Sequence, residues 1–113
     1  MPFAPINTNT MGPNVIVPAK SGMAIQVLSY KRVAAGAVTA QWNSVNTGTS
    51  TTTNLEGPCS LITGVPEVCV AGFVWAGGGR TELFETLPGD ELVLTLGGGV
   101  QVSGHLEYVY KSY

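Results

Sequence analysis

Glycine and proline interrupt this chain about every ten residues, and that spacing leaves no room for a long helix. Proline removes a backbone hydrogen-bond donor and glycine favours turns, so each tends to end a regular segment. No segment repeats apolar residues at helical spacing over three turns, whereas most segments between the breaks alternate apolar and polar side chains as half-buried strands do. The sequence predicts seven or eight short strands, and therefore an all-β, single-domain antiparallel β-sandwich that is jelly-roll-like.

The clearest strand lies between Met23 and Val33, where apolar and β-branched residues follow one another without glycine or proline. Strict alternation places Ile25 and Val27 on one face of this strand and Tyr30 on the other. A second alternating segment, 38–43, turns Trp42 toward its apolar face. Further strands are predicted within residues 61–62, 68–75, 81–86, 91–96 and 100–111, separated by turns or loops at 64–66, 76–79, 88–90 and 97–99.

The first 20 residues differ from the rest of the chain because they contain four prolines, Pro2, Pro5, Pro13 and Pro18. Proline at this density is incompatible with a helix or a central strand. We predict that residues 1–20 form an extended N-terminal arm on a sandwich domain of residues 21–113, with a disordered terminus as the alternative. The apolar run Val15, Ile16 and Val17 within the arm is able to add to a sheet edge.

The low charge of the chain indicates a subunit of an assembly. Charged residues make up 11% of the sequence, against about 25% in an average domain. A net charge of −2 with scattered basic residues argues against nucleic-acid binding. No apolar run approaches the roughly 20 residues of a membrane span. Because the N-terminus lacks the basic and apolar regions of a secretion signal, we expect synthesis and assembly in a cytoplasm, with no membrane partner.

The two cysteines leave two interpretations open. Cys59 and Cys69 are separated by nine residues that include Gly64 and Pro66, so a hairpin could bring them within disulfide reach. The alternative, favoured in a reducing cytoplasm, is that each acts as a small buried hydrophobe. Together with His105 they do not suggest a zinc site, since CxxC spacing and a fourth ligand are missing.

No arrangement of residues points to catalysis. His105 lies in the middle of a predicted strand, on its polar face, and nothing in the sequence nominates a nucleophile or carboxylate to complete a site. The glycine runs at 77–79 and 97–99 lack the GK[ST] ending of a phosphate loop. The acidic residues between 82 and 91 lack calcium-loop spacing. We therefore predict a chain that is not an enzyme and that needs no metal or cofactor.

The C-terminal forty residues carry a specific pattern. It consists of the segment Phe84-Glu85-Thr86, the strand Gly89-Asp90-Glu91-Leu92-Val93-Leu94-Thr95-Leu96, and the closing strand Val102-Ser103-Gly104-His105-Leu106-Glu107-Tyr108-Val109. With the earlier Val27-Leu28-Ser29-Tyr30, this pattern resembles the small β-sandwich structural proteins of tailed bacteriophages. The resemblance covers about two thirds of the chain and implies a fold more firmly than a place in the virion.

Within that group the chain is similar to capsid decoration (cement) proteins. The resemblance implies a homotrimer on the capsid surface of the virion, assembled in the host cytoplasm, that binds the major capsid protein and stabilises the head, with the arm lying across neighbouring subunits. The alternative is a tail or receptor-binding module that contacts a host glycan through a tryptophan or the Thr-rich tract at 47–53. The candidate contact residues are the apolar run and the two tryptophans: Val15, Ile16, Val17, Trp42 and Trp75.

Overall fold

The computed structural model describes residues 3–57, 59–70 and 83–112, and this part of the chain is built from strands and turns. No helix in it is long and apolar enough to cross a membrane. The strands of the described residues are β1 (Phe3–Thr8), β2 (Gly12–Val17), β3 (Met23–Ala34), β4 (Val38–Asn46), β5 (Thr51–Asn54), β6 (Cys59–Leu61), β7 (Glu67–Val70), β8 (Phe84–Glu85), β9 (Glu91–Leu96) and β10 (Val102–Ser112).

These strands form two antiparallel sheets that pack against each other. The β3 sheet has the order β1-β10-β3-β7, and β8 pairs with β3 beside β7. The β4 sheet has the order β2-β9-β4-β5, and β6 pairs with β4 beside β5. Each sheet turns one face inward, because alternate side chains of its strands are apolar and must leave water together. The predicted all-β class and the two packed antiparallel sheets are confirmed.

The strand pairing is nested along the sequence. The first strand pairs with the last, the second with the ninth, the third with β7 and β8, and the fourth with β5 and β6. The two halves of the chain therefore run antiparallel to each other, as the two strands of one long hairpin do. Two further ladders, β3 with β10 and β4 with β9, join these strand pairs to one another within each sheet.

A β-bulge in β3 changes which side chains enter the core. Glu107 of β10 lies opposite Ser29 and Tyr108 lies opposite Val27, so Leu28 is an extra residue in β3. Tyr30 consequently faces the same core as Val27 and is only 5% exposed. The prediction that Tyr30 and Ile25 lie on opposite faces is wrong, because one inserted residue reverses the alternation of everything that follows it.

Residues 3–17 are part of the sandwich. They form the edge strands β1 and β2, and their side chains Ala4, Ile6 and Val17 are buried between the sheets. The extended conformation predicted for this segment is present, but the structure does not separate an arm of residues 1–20 from the domain. Pro5 and Pro13 are exposed in these strands, and proline is tolerated at an edge, where one side of the backbone has no ladder to complete.

Tyr110 fastens the segment that follows β2. Its hydroxyl donates a hydrogen bond of 2.8 Å to the carbonyl of Pro18, and the ammonium of Lys20 lies 5.2 Å from the centre of its ring. Burial, and then the neighbouring Tyr108, raise the pKa of Tyr110 above its ordinary value, which further favours the protonated hydroxyl that donates this bond. The crossing from the β4 sheet back to the β3 sheet is thereby held against β10.

The polar tract after β4 is partly a strand. Thr51–Asn54 form β5, which pairs with Asn43–Asn46 of β4 across a turn that contains Ser50 at a positive φ of 56°. Threonine, serine, asparagine and glycine in such a run are typical of a surface loop. The tract lies at the surface, but Thr51–Asn54 form a strand of a hairpin. Threonine is favoured in strands even where it cannot enter a core.

Two hydroxyl groups secure the predicted turn around Pro88. The Thr86 hydroxyl accepts the backbone N–H of Ile25 at 2.9 Å. The Ser44 hydroxyl donates to Asp90 at 2.7 Å and accepts the N–H of Leu87 at 3.1 Å. These bonds satisfy polar groups that are buried where the chain passes from one sheet to the other. Thr86 and Asp90 therefore have structural roles.

Gly104 sits where no side chain fits. Its φ is +152°, and a Cβ atom there would lie 2.8 Å from the carbonyl carbon of Lys31 and would meet the carbonyl oxygen as well. Both contacts are to backbone of the paired strand β3, which cannot move aside without breaking the ladder.

We predict that Gly104→Ala lowers the free energy of unfolding by at least about 2 kcal/mol, because it adds both backbone strain and a clash. Urea denaturation followed by circular dichroism measures this change. Gly57→Ala is the matched control, since a Cβ atom at Gly57 has open space around it, and it should shift stability by less than about 0.5 kcal/mol. A Gly104→Ala protein as stable as the control would contradict the close approach of β3 and β10.

Candidate interaction surface

The most unusual side chain in the core is a cation. Arg32 has no exposed surface, and its guanidinium carbon lies 5.1 Å from the ring centre of Tyr30 and 5.8 Å from that of Trp42. Aromatic faces attract a cation, and a guanidinium is weakly hydrated for its charge. Arg32 is thus stacked among aromatic rings inside the sandwich.

Glu56 provides the opposite charge. Its Oε1 atom lies 3.3 Å from Nη1 of Arg32 and also accepts the backbone N–H of Trp42 at 3.1 Å. The backbone carbonyl of Glu56 accepts a hydrogen bond of 2.7 Å from the Gln41 side chain. Because Glu56 lies two residues after the end of β5, these bonds hold the end of the β4–β5 hairpin against β4, and the ion pair joins the two sheets.

Trp42 is a core residue. It has no exposed surface, and its ring centre lies 5.5 Å from that of Tyr30 and 6.0 Å from that of Phe84. The prediction that Trp42 contacts a partner is therefore wrong. The alternating pattern of β4 had already turned this side chain toward the apolar face, and a large aromatic ring supplies much of the core's area.

The predicted apolar run divides between the core and the surface. Val17 is fully buried opposite Leu92, so it cannot contact a partner, and that part of the prediction is wrong. Ile16 is the extra residue of a bulge in β2 and packs partly against the core. Val15 is 55% exposed on the outer side of β2 and is available for contact. Trp75 lies outside the described residues.

The edge of the sandwich at β1 and β2 is apolar and uncharged. Neither strand contains a charged residue. Phe3 is 63% exposed, and Met11, in the turn between the two strands, is 68% exposed. With Val15 they place three large apolar side chains along a single margin of the molecule, where both strands have one unpaired side. We call this margin the β1–β2 edge.

The outer faces of the two sheets differ in charge. The strands of the β4 sheet contain one charged residue, Glu91. Those of the β3 sheet contain six: Lys31, Arg32, Glu67, Glu85, Glu107 and Lys111. Among those whose side chains the structure describes, Arg32 is buried, Lys31 and Lys111 are exposed, and Glu85 and Glu107 are partly exposed, so solvent-facing charge gathers on the β3 sheet.

The register of the ladders defines the outer face of the β4 sheet. One row across it joins Val15, Val93, Asn43 and Asn54, and the next joins Pro13, Thr95 and Gln41. Thr95 donates a hydrogen bond of 2.6 Å to the Asn43 side chain, which in turn donates 2.8 Å to Asn54. The residues of these rows, together with Val45 and Thr52 of the following row, are named the β4 outer face; Asn43 and Val93 at its centre are buried.

Groups that could perform acid–base or metal chemistry are dispersed over the described residues. No three histidine, cysteine, aspartate or glutamate side chains gather there in a metal-binding arrangement. His105 is exposed on the outer side of the β3 sheet, as its strand position predicted, with the Phe3 ring 6.1 Å away. A pocket of about 370 Å³ lies where β4 begins. It is lined by residues 37–39, 60–61 and 97–98, none of which titrates near neutral pH.

Cys59 and Cys69 lie on strands of different sheets. Cys59 is on β6, paired with Ala40 of β4. Cys69 is on β7, paired with Tyr30 of β3. The hairpin that the disulfide interpretation required is absent, because the chain crosses from one sheet to the other between residues 61 and 67.

Sequence analysis missed Arg32 and Glu56. Arg32 looked like one of several scattered basic residues, and burial of a charge is rare enough not to be expected. One signal was present: Glu56 is the only charged residue between positions 33 and 66. A lone carboxylate in so long an uncharged stretch suggests a specific partner.

Comparison with known proteins finds no match: no family model, no curated protein and no solved structure resembles this chain at a significant level.

We predict that Glu56→Gln lowers the free energy of unfolding by about 1–3 kcal/mol, because it leaves the buried Arg32 without its counter-charge. In a double-mutant cycle with Arg32→Met, the loss caused by Glu56→Gln should largely vanish once the cation is gone. Chemical denaturation of the four proteins measures the coupling, with Glu91→Gln as a control that removes a carboxylate elsewhere in the β4 sheet. Additive effects within about 0.3 kcal/mol would contradict a stabilising pair.

Proposed function

We propose that this chain is a virion structural protein of a tailed bacteriophage: a capsid decoration protein that binds the major capsid lattice and stabilises the head. It would lie on the capsid surface as a homo-oligomer, and the resemblance described above favours a trimer. Its mechanism would be burial of surface area rather than chemistry, since each chain that bridges neighbouring capsid subunits adds contacts that must break before the lattice opens.

The observation that carries this proposal is the β1–β2 edge. Monomeric sandwiches usually protect an edge with lysine or another charge. Here Phe3, Met11 and Val15 are exposed along an edge without any charge. Interfaces are depleted of charge at their centres and enriched in aromatic residues and methionine, so this margin has the composition of a contact surface.

The prolines of the same edge suggest how it would bind. Pro5 and Pro13 lie within β1 and β2, and proline interrupts the row of donors that a further strand would need. Contact through side chains is therefore favoured over addition of a strand from the capsid. An arm that reaches across the lattice is not part of the proposal, because residues 3–17 are strands of the sandwich.

The fold supports the proposal in a general way. The nested pairing of the first strand with the last and the second with the ninth is the order expected of a jelly roll. The residues that carry the phage resemblance fall within β3, β8, β9 and β10 and in the turn before β9. Parts of that pattern, namely Thr86, Asp90 and Gly104, are required by the fold. The resemblance therefore supports the architecture more directly than it supports a binding site.

A second candidate function is a tail or receptor-binding module that contacts a glycan. The observation that favours it is the β4–β5 hairpin, where the hydroxyl-bearing residues Thr49, Ser50, Thr51 and Thr52 are exposed. Hydroxyls can hydrogen-bond a sugar. Because Trp42 is buried, it supplies no stacking surface. Trp75 lies outside the described residues, and among those the candidate depends on the hairpin.

We predict that purified particles of the phage that encodes this chain contain hundreds of copies, as a decoration protein requires. Quantitative mass spectrometry against the major capsid protein measures the ratio. Shells stripped of the chain should also bind it again, and Phe3→Ser and Met11→Ser should weaken that binding in sedimentation assays, whereas Ile62→Ser, at an exposed apolar residue away from the β1–β2 edge, should not.

Other outcomes would separate the candidates. A handful of copies per particle, with binding on a glycan array that is lost when Thr51 and Thr52 are replaced by valine, would favour the tail module. Absence of the chain from purified particles would contradict both functions.

A further inference from the structure

A single side chain braces the turn between β1 and β2. The amide nitrogen of Asn14 donates to the carbonyl of Thr10 at 2.9 Å and to that of Gly12 at 3.0 Å. It also donates to the carbonyl of Leu94, in the paired strand β9, at 3.3 Å. The amide oxygen accepts the Thr8 hydroxyl at 2.6 Å. Asn14 therefore ties the turn to both of the strands that it joins and to β9.

Met11 lies between the two residues whose carbonyls Asn14 holds. The residue after it, Gly12, has a positive φ of 95°, which a residue with a side chain rarely adopts, and this conformation bends the chain into β2. The Met11 side chain is nevertheless 68% exposed, the largest exposed fraction among the bulky apolar residues that the structure describes. The turn thus combines a fixed backbone with an apolar side chain that is open to solvent.

This combination suits binding through an anchor residue. A side chain that enters a cavity on a partner loses less entropy if its backbone is already ordered before contact. Methionine is unbranched and polarisable, so it fits irregular apolar cavities. Thr10 and Gly12, on either side of Met11, are uncharged, and glycine has no side chain that would stand between Met11 and a partner.

We infer that Met11 is the anchor of the β1–β2 edge, that it enters an apolar cavity on the major capsid protein, and that Asn14 is the positioning residue that orders the turn around it. The inference rests on the proposed function and deepens it, because it names the residue at the centre of the contact and the form of the partner's surface. The cavity must lack charge, since a thioether cannot replace the water that a charged group would lose.

The other exposed side chains of the edge are less suited to this role. The Phe3 ring already packs edge-on against His105, with 6.1 Å between the two ring centres. Val15 has a short, branched side chain within a strand, so it cannot reach far into a cavity. Both would surround the anchor and exclude water from it, as the residues around an anchor usually do.

The bracing by Asn14 is tested on the free chain by ¹⁵N relaxation. In Asn14→Ala, the order parameters of the amides at residues 9–12 should fall from about 0.85 to below about 0.6, because the turn loses its side-chain bonds. The matched control is Asn46→Ala, since Asn46 braces the turn after β4 by accepting the N–H groups of Gly48 and Thr49; it should leave residues 9–12 unchanged. If residues 9–12 stay ordered in Asn14→Ala, the inference is overturned whether or not the chain binds shells.

Circular dichroism and thermal melting establish that each variant folds like the parent chain. Thr8→Val removes only the hydrogen bond to the amide oxygen of Asn14. It is the milder variant, and it takes the place of Asn14→Ala in both experiments if Asn14→Ala does not fold.

Binding to stripped shells is then measured by sedimentation. Asn14→Ala should weaken binding by about tenfold, as expected if the backbone of one residue must be ordered on contact. Met11→Ser should also weaken it, and Asn14→Ala combined with Met11→Ser should weaken it no further than Met11→Ser alone, because Asn14 acts through Met11. Asn46→Ala should bind like the parent chain.

Two substitutions of Met11 test the apolar cavity. Met11→Leu keeps an apolar side chain of similar volume and should bind within about threefold of the parent chain. Met11→Gln keeps the length but adds polar atoms and should weaken binding by at least about tenfold. If the parent chain binds and Met11→Gln binds equally well, or if the effects of Asn14→Ala and Met11→Ser add, the inference fails and the proposed function stands. A parent chain that binds no shells contradicts the proposed function and the inference with it.

Discussion

A buried cation is the constraint on which the rest of this sandwich depends. Arg32 has no exposed surface, and an ionised group inside an apolar core is tolerated only if a counter-charge and hydrogen bonds replace the water it has lost. Glu56 must therefore lie beside Arg32 at the edge of the core, and this contact constrains the path of the chain after β5. The carboxylate also accepts the N–H of Trp42, so the charge that compensates Arg32 also holds the largest core ring in place.

The distribution of the remaining charge reflects how few ionised residues the chain contains. With 11% of its residues charged, the chain cannot solvate every surface equally. The β3 sheet carries most of the charge, whereas the β1–β2 edge carries none and the β4 outer face only Glu91. Such an asymmetry gives the molecule one well-hydrated side, and an uncharged β1–β2 edge that loses little hydration when it is covered.

The structure departs from what the sequence predicts at three places. In β3 the alternation was clear in the sequence, yet the extra residue at Leu28 moved Tyr30 to the core side. A bulge depends on the partner strand, so no local pattern announces it. In residues 3–17, the prolines correctly excluded a helix and a central strand, but an edge strand and a free arm look alike until the rest of the sheet is known. Among the candidate contact residues, Val17 and Trp42 are apolar enough for an interface, but both side chains are buried in the core.

The sequence by itself determined the class of this protein. Regular interruption by glycine and proline, with alternation between the breaks, admits short strands and little else, because local backbone sterics and the side-chain period of two act within a few residues. Tertiary structure decided which strands become edges, which apolar residues stay outside, and that Arg32 finds Glu56 24 residues away. These outcomes depend on ladders between distant segments, such as β1 with β10, and on the cost of burying a charge, and neither quantity can be evaluated from neighbouring residues alone.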